Sequence, residues 1–200
     1  FRIHSVSGWQ LTLGYEETLQ NDRIHDRSGE KHTRLYIGRM ATSLNAGIDL
    51  RVEYNHKREK ENSGYFGQAD FVENDFKIEF NFCCLHNVRL RISPRYLTDR
   101  SDSDDLSADL VGASIEPGWE LSKRGRLQFD FSYYNVSEKN DRRIPYQFAA
   151  GNRPGDNYRW GASLKINYNQ SITSQLTYRA DRISGLSTRH KLTVSMRATF

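Results

Sequence analysis

Apolar and polar residues alternate along this chain in segment after segment, with turn residues between them. The first segment sets Trp9, Leu11, Leu13 and Tyr15 against Gln10, Thr12, Gly14 and Glu16, and the second is a noisier run from Arg34 to Ser43. The third opposes Ile48, Leu50, Val52 and Tyr54 to Asp49, Arg51, Glu53 and Asn55. Phe76, Ile78, Phe80 and Phe82 then alternate with Lys77, Glu79 and Asn81, and Val88, Leu90, Ile92 and Tyr96 with Arg89, Arg91, Ser93 and Arg95. Further segments centre on Val111 to Leu121, Leu127 to Tyr133, Tyr158 to Tyr168 and Ile172 to Arg179. The tenth sets Leu192, Val194, Met196, Ala198 and Phe200 against Lys191, Thr193, Ser195, Arg197 and Thr199. A period of two predicts ten strands with one apolar and one polar face, and no helix-period segment competes with them. Phe1 to Val6 also alternates, which predicts part of an earlier strand. Pro94 and Pro117 fall inside proposed strands, where a missing N–H donor predicts bulges.

The connections are alternately short and long. Short turns are expected near Asn45 and Ala46, His86 and Asn87, Ser122 to Gly125, and Asn169 and Gln170. Long polar loops are expected at Asn21 to Lys31, His56 to Gly64, Thr98 to Asp105, Glu138 to Asp156 and Asp181 to Arg189. This rhythm is typical of transmembrane barrels, and a soluble β-sandwich, which also alternates, rarely shows it. Segments of about 10 to 13 residues match the length a tilted strand needs to cross the hydrocarbon layer. Rings at segment ends, among them Tyr15, Tyr54, Tyr96, Trp119, Tyr133, Tyr158, Trp160 and Tyr178, fall where interfacial girdles form. The expected fold is all-β, an antiparallel up-and-down transmembrane β-barrel of about ten strands forming one domain over residues 1–200, whether whole or the closing part of a larger barrel.

Composition narrows the alternatives. Apolar residues make up 36% of the chain and aromatic residues 12%, with only four prolines, so the low mean hydropathy of -0.78 does not signal disorder. No run approaches the roughly 18 to 20 apolar residues of a transmembrane helix, which leaves strands as the means of spanning. The net charge of +4 comes from 29 Lys and Arg against 25 Asp and Glu scattered through the chain, so no nucleic-acid partner is expected. Cys83 and Cys84 are adjacent, a spacing that suits neither a disulfide with each other nor a metal site.

The ending Leu192-Thr-Val-Ser-Met-Arg-Ala-Thr-Phe200 resembles the C-terminal signal by which bacterial outer-membrane barrels are recognised by the barrel-assembly machinery. The stretch Pro145-Tyr-Gln-Phe-Ala-Ala-Gly-Asn-Arg-Pro-Gly-Asp-Asn-Tyr-Arg-Trp160 also resembles the C-terminal barrels of large outer-membrane proteins from Bacteroidota-like bacteria. These resemblances imply a place in the outer membrane, with long loops outside and both termini in the periplasm. They imply as partners outer-membrane lipid and lipopolysaccharide, the assembly machinery during biogenesis, and other outer-membrane subunits. Leu192, Val194, Met196, Ala198 and Phe200 would carry the assembly signal.

The polar parity supplies the candidate lumen lining: Arg51, Glu53, Lys77, Glu79, Arg89, Arg91, Arg95, Glu116, Asp130, Lys165, Arg179 and Arg197. In a narrow barrel such charges pair across strands and plug the interior, whereas in a wider one they line a wet channel. The leading reading is passage or export of a solute or polypeptide, and the second is a non-conducting anchor presenting surface loops for adhesion. A third, an outer-rim hydrolase, rests on Asp22, His25, Asp26 and His32 with Asp99, Asp102, Asp104 and Asp105. No Ser-His arrangement accompanies those residues, so no catalytic residue, cofactor or metal is assigned. The acidic run at Asp99 to Asp105 lacks the ordered ligand spacing of a helix-loop-helix calcium site. Basic loop residues such as Lys57, Arg58 and Lys60 suit lipopolysaccharide phosphates. The longest loop, Glu138 to Asp156, holds Phe148 among small residues and is the best candidate to fold inward as a constriction or outward as a partner site.

Overall fold

A computed structural model of the protein describes residues 2–4, 8–24, 27–45, 47–63, 67–85, 87–101, 105–122, 124–139, 148–169 and 171–199. The described chain forms one antiparallel sheet in which every strand pairs with its neighbours in sequence. A short β1 (Arg2–His4) leads into ten full strands: β2 (Trp9–Ile24), β3 (Arg27–Asn45), β4 (Ile48–Ser63), β5 (Gly67–Leu85), β6 (Val88–Ser101), β7 (Leu106–Ser122), β8 (Gly125–Glu138), β9 (Gly155–Asn167), β10 (Ile172–Arg182) and β11 (Arg189–Ala198). All ten alternating segments are strands, and β1 pairs with β2, as the alternation at the start of the sequence leads one to expect. Because the strands run strictly up and down, β1 and β11, at the two edges, point the same way.

The strands form where β-branched and aromatic residues recur at every second position, a pattern that fits a pleated surface with one apolar face. In register, Leu50 lies opposite Phe80, Val52 opposite Ile78, Ile92 opposite Ile115 and Leu127 opposite Leu164. This face is left uncovered: Leu13, Ile115 and Phe131 are exposed, and on β11 Leu192, Val194 and Met196 are 66%, 74% and 70% exposed. An uncovered apolar face of this extent marks a surface that meets lipid or another protein. Aromatic residues bound it at both ends. At one end, Trp119 packs edge-on against Phe129, and Phe82 stands three residues before the end of β5. At the other end, Tyr15 tilts against Tyr36, and Tyr133 against Tyr158. There the hydroxyl of Tyr15 donates to Glu17, that of Tyr54 to Asn74 and that of Tyr133 to Asp156, so each ring keeps its polar tip on the side away from the apolar band.

The strands continue beyond this aromatic rim, and here the fold differs from the sequence reading. Most of the residues expected in loops at Asn21 to Lys31, His56 to Gly64 and Thr98 to Asp105 are strand. Past the rim on β2 to β4 most residues on both faces are polar, so hydropathy stops marking the strand while pairing carries on. Ion pairs between neighbouring strands hold these extensions, among them Arg34 with Glu17, Lys31 with Glu59 and Arg58 with Asp70. Of the Glu138 to Asp156 connection, the described residues 148–154 lie outside the sheet, and so do the residues between Arg182 and Arg189.

The prolines do not produce bulges. The β5–β6 ladder has no rungs linking Ile78 and Glu79 to Pro94 and Ser93, yet the register is the same on either side, with Lys77 opposite Arg95 and Phe80 opposite Ile92. Pro117 interrupts the β7–β8 ladder in the same way. The register shifts lie at the turn ends of the strands, near Ser43, Cys83 and Glu120. Each proline thus costs two rungs of one ladder and leaves the opposite ladder, from β6 to β7, in continuous register.

Candidate functional site

The polar parity of β3 to β7 brings opposite charges together because residues two apart on one strand, and directly opposed on the next, share a face. Arg39 lies opposite Glu53 and donates to it twice, from Nε at 2.9 Å and from Nη2 at 3.3 Å, while Asn55 donates to the same carboxylate at 3.1 Å. Glu79 gathers Lys77 Nζ at 3.5 Å, Arg91 Nε at 3.7 Å and Arg51 Nη1 at 3.8 Å, and accepts from Asn81 at 3.1 Å. Arg91 reaches on to Glu116 at 3.2 Å, joining β6 to β7. Arg95 grips Asp75 with a two-point contact at 2.8 and 3.0 Å. The carboxylates lie against the wall and the cations stand over them: Glu79 is 11% exposed while Arg51 is 56% exposed.

The same face carries a segment of the longest connection. Residues Phe148–Gly151 form a short 3-10 turn, with Ala149 and Ala150 in the left-handed region at φ 52°. Phe148 and Ala149 are buried with Leu97 on β6, Ala108 and Leu110 on β7 and Val136 on β8, and the Phe148 ring meets Phe71 edge-on at 5.6 Å. The buried Asp99 carboxylate accepts the Ala149 N–H, while the Asn152 backbone and side chain both donate to the Ala149 carbonyl, at 3.0 and 2.8 Å. Lys57, Glu59, Phe71, Glu73, Asp99 and Phe148 line an open cavity of about 40 Å³. These groups lie past the aromatic rim, three residues beyond Tyr96 in the case of Asp99. Burial drives the Asp99 carboxyl up to about 7, against the Ala149 hydrogen bond that lowers it and with the neighbouring Glu73 charge adding to the rise. Burial also raises Glu73, whereas at Glu59 burial is outweighed by the Lys31 and Lys57 ammonium groups at 2.6 and 2.9 Å, which hold it below its ordinary range.

No family model matches this sequence, and no curated protein matches it. Solved structures do. Over 96% of its length the chain is similar to the outer-membrane expressed OmpT of Vibrio cholerae, with a TM-score of 0.66, 7% identity and coverage of 77% of that chain. It is likewise similar to a loop L8 deletion mutant of that outer membrane protein, with a TM-score of 0.65, 7% identity, and coverage of 96% of this chain and 76% of the other. The fold is that of an outer-membrane β-barrel. At 7% identity the likeness extends to the fold alone.

In such a barrel one face of the wall meets lipid and the other the interior. All twelve residues singled out on the polar parity share the face that carries the Phe148 turn. Arg51, Glu53, Lys77, Glu79, Arg91 and Glu116 join in ion pairs, and Arg95 pairs separately with Asp75. Arg89 sits between Cys83 and Gly118 with no acidic residue opposite. Asp130 lies over Gly161, where even a methyl group would meet its carboxylate oxygen at 2.6 Å. Lys165, Arg179 and Arg197 stand on β9 to β11 outside the network. Arg39, paired with Glu53, and Asp75, paired with Arg95, add to these twelve residues. Arg39 lies on the noisiest segment, and Asp75 immediately precedes the first apolar residue of its own.

Leu192, Val194, Met196 and Ala198 lie together on the opposite, apolar face of β11, and Phe200 lies outside the described residues. His25, Asp26, Asp102 and Asp104 also lie outside them, as does the side chain of Asp22. The remaining members of the hydrolase reading are not brought together. His32 is on the apolar-parity face, bonded to Glu17 at 2.6 Å, and Asp99 is on the other face beneath the Phe148 turn. Glu17 also accepts from Tyr15 and Arg34, and these bonds with His32 hold its carboxyl down to about 2. Among the described residues no three His, Cys, Asp or Glu side chains are grouped as a metal site would require.

Proposed function

We propose that this protein is an outer-membrane channel that passes small polar solutes, with its charged face lining the interior and the Phe148 turn narrowing one end. The observation that carries the reading is the exposure of the network cations. Although each is ion-paired, Arg39, Arg51, Lys77 and Arg91 keep 47%, 56%, 41% and 46% of their side-chain surface open. A plug of side chains would close that surface, whereas a wet lining leaves it available to water and ions. In this reading the polar strand extensions and the Glu138 to Asp156 connection project outside the cell, and the short turns lie in the periplasm. The apolar residues of β11 present the assembly signal to the barrel-assembly machinery, and Arg58 and Lys60, just past the aromatic rim, meet lipopolysaccharide phosphates.

Conductance of the purified, folded protein in planar bilayers tests the proposal. A stable ion current is expected. A folded protein that inserts and carries no current would instead support a non-conducting anchor presenting surface loops.

A further inference from the structure

On the charged face the acidic and basic residues are not evenly spread. Between β3 and β7 almost every cation has a carboxylate partner. On β9 to β11 the same face carries Arg159, Lys165, Arg179, Arg189, Lys191 and Arg197 against one acid, Asp181. Asp181 is already held by Arg189, at 2.8 and 2.9 Å. Among the described residues no ion pair forms at Arg159, Lys165, Arg179, Lys191 or Arg197. The nearest acidic residue on the adjoining strand is Asp130, seated over Gly161.

The register arranges these cations by height along the wall. Arg197 lies level with Thr173 and Asn167, and Lys165 with Gln175 and Ser195. Ser163, Thr177 and Thr193 make a hydroxyl tier, where Gln175 donates to Ser163 at 3.1 Å and to Thr177 at 3.2 Å. Arg179 lies level with Lys191, and Arg159 with Asp181 and Arg189. Successive tiers on one face of a strand are about 7 Å apart, so positive charge recurs along most of the barrel's height with hydroxyl donors at its middle. Arg179 directly opposite Lys191 is a like-charge cross-strand pair, an arrangement that destabilises a sheet when nothing offsets it. An anion resting between the two side chains would offset it.

We propose that the interior face of β9 to β11 is an anion track, which makes the channel selective for small anions such as inorganic phosphate and carboxylates over cations. This rests on the channel reading. Cations lining a low-dielectric wall raise the local concentration of anions and repel cations, and their spacing offers several weak sites in succession, from which an ion can leave.

The test is the reversal potential of the protein in a bilayer separating unequal KCl concentrations, with inorganic phosphate then added as a blocker of the chloride current. The wild-type potential is expected to take the sign set by chloride, and phosphate is expected to reduce the current. In a variant carrying Lys165→Gln, Arg179→Gln and Lys191→Gln, the potential should shift toward the cation side and the phosphate effect should be lost. Arg179→Lys, which keeps the charge and folds more conservatively, should retain both properties, and single Lys191→Gln should shift the potential part of the way. A current that prefers potassium, or an anion preference unchanged in the triple variant, would overturn the track while leaving the channel standing. No current from any folded form overturns the channel reading and the track with it.

Discussion

Asp99 on β6 accepts a hydrogen bond from the backbone N–H of Ala149, fifty residues further along the chain, and this contact ties the turn of the longest connection to the sheet. Both partners are buried, and Phe148 beside them fills the space between Phe71 and Leu97. The turn is therefore held by one polar latch and one aromatic anchor, which can be removed separately.

Removing the latch has a pH signature. In the unfolded chain Asp99 ionises near 3.8, while in the folded protein it keeps its proton up to about 7. A carboxyl raised in this way stabilises the folded state fully below its unfolded value, and the contribution is lost as the pH rises through about 7. Melting of the detergent-solubilised protein at pH 4.5 and pH 8.5 should show this loss in the wild type and a smaller one in Asp99→Asn. An identical difference in both would mean that Asp99 is not the group responsible.

Removing the anchor should widen the passage. Phe148→Ala leaves a void beside Phe71, at a cost of about 3 to 5 kcal/mol if the site does not collapse, which is enough to free a short turn. Single-channel conductance should rise relative to wild type. An unchanged conductance would place the narrowest point elsewhere.

The two faces of one strand pair should respond unequally to charge. Leu50 and Phe80 are opposed on the apolar face, and arginine at either should cost about 2 to 4 kcal/mol near the bilayer midplane. Arg51→Gln, one residue along on the charged face, should cost much less, since Glu79 keeps Lys77 and Arg91. Refolding titrations into lipid vesicles measure both. Small, equal effects would count against burial of this face in lipid.

One glycine is fixed by close contact. A methyl group at Gly112 would stand 2.1 Å from the Tyr133 carbonyl oxygen and 2.8 Å from the Tyr134 Cα, so the neighbouring backbone would have to move. At Gly38 the nearest atom is 3.9 Å away. Gly112→Ala should lower folding stability by about 1 to 3 kcal/mol, as overpacking does, and Gly38→Ala by little. The heat-dependent gel shift of folded barrels compares the two.

Much of this architecture was legible in the sequence, for reasons the residues make plain. Between Ile48 and Tyr54, lipid on one side and water on the other impose a strict period of two, so strand and face follow from alternation alone. The signal fails where both faces are wet. Lys57, Glu59 and Lys31 continue the ladder past the rim, but nothing in their hydropathy separates them from a loop. The Phe148 turn was foreseeable as a large ring among small residues, and its partners Leu97 and Leu110 were not, because they break the polar parity of their strands only locally. Glu79 was visible as one charge among many, while its meeting with Lys77, Arg91 and Arg51 depends on register that only the folded sheet fixes.

The most direct test of a lipid-facing barrel wall around a wet interior is single-cysteine labelling along β4 at Leu50, Arg51, Val52 and Glu53, in a background with Cys83→Ser and Cys84→Ser, in intact vesicles. A water-soluble, membrane-impermeant maleimide should modify the cysteines at positions 51 and 53 and spare those at 50 and 52, where lipid-borne quenchers should act instead. Equal modification of all four positions, or quenching without alternation, would contradict the account.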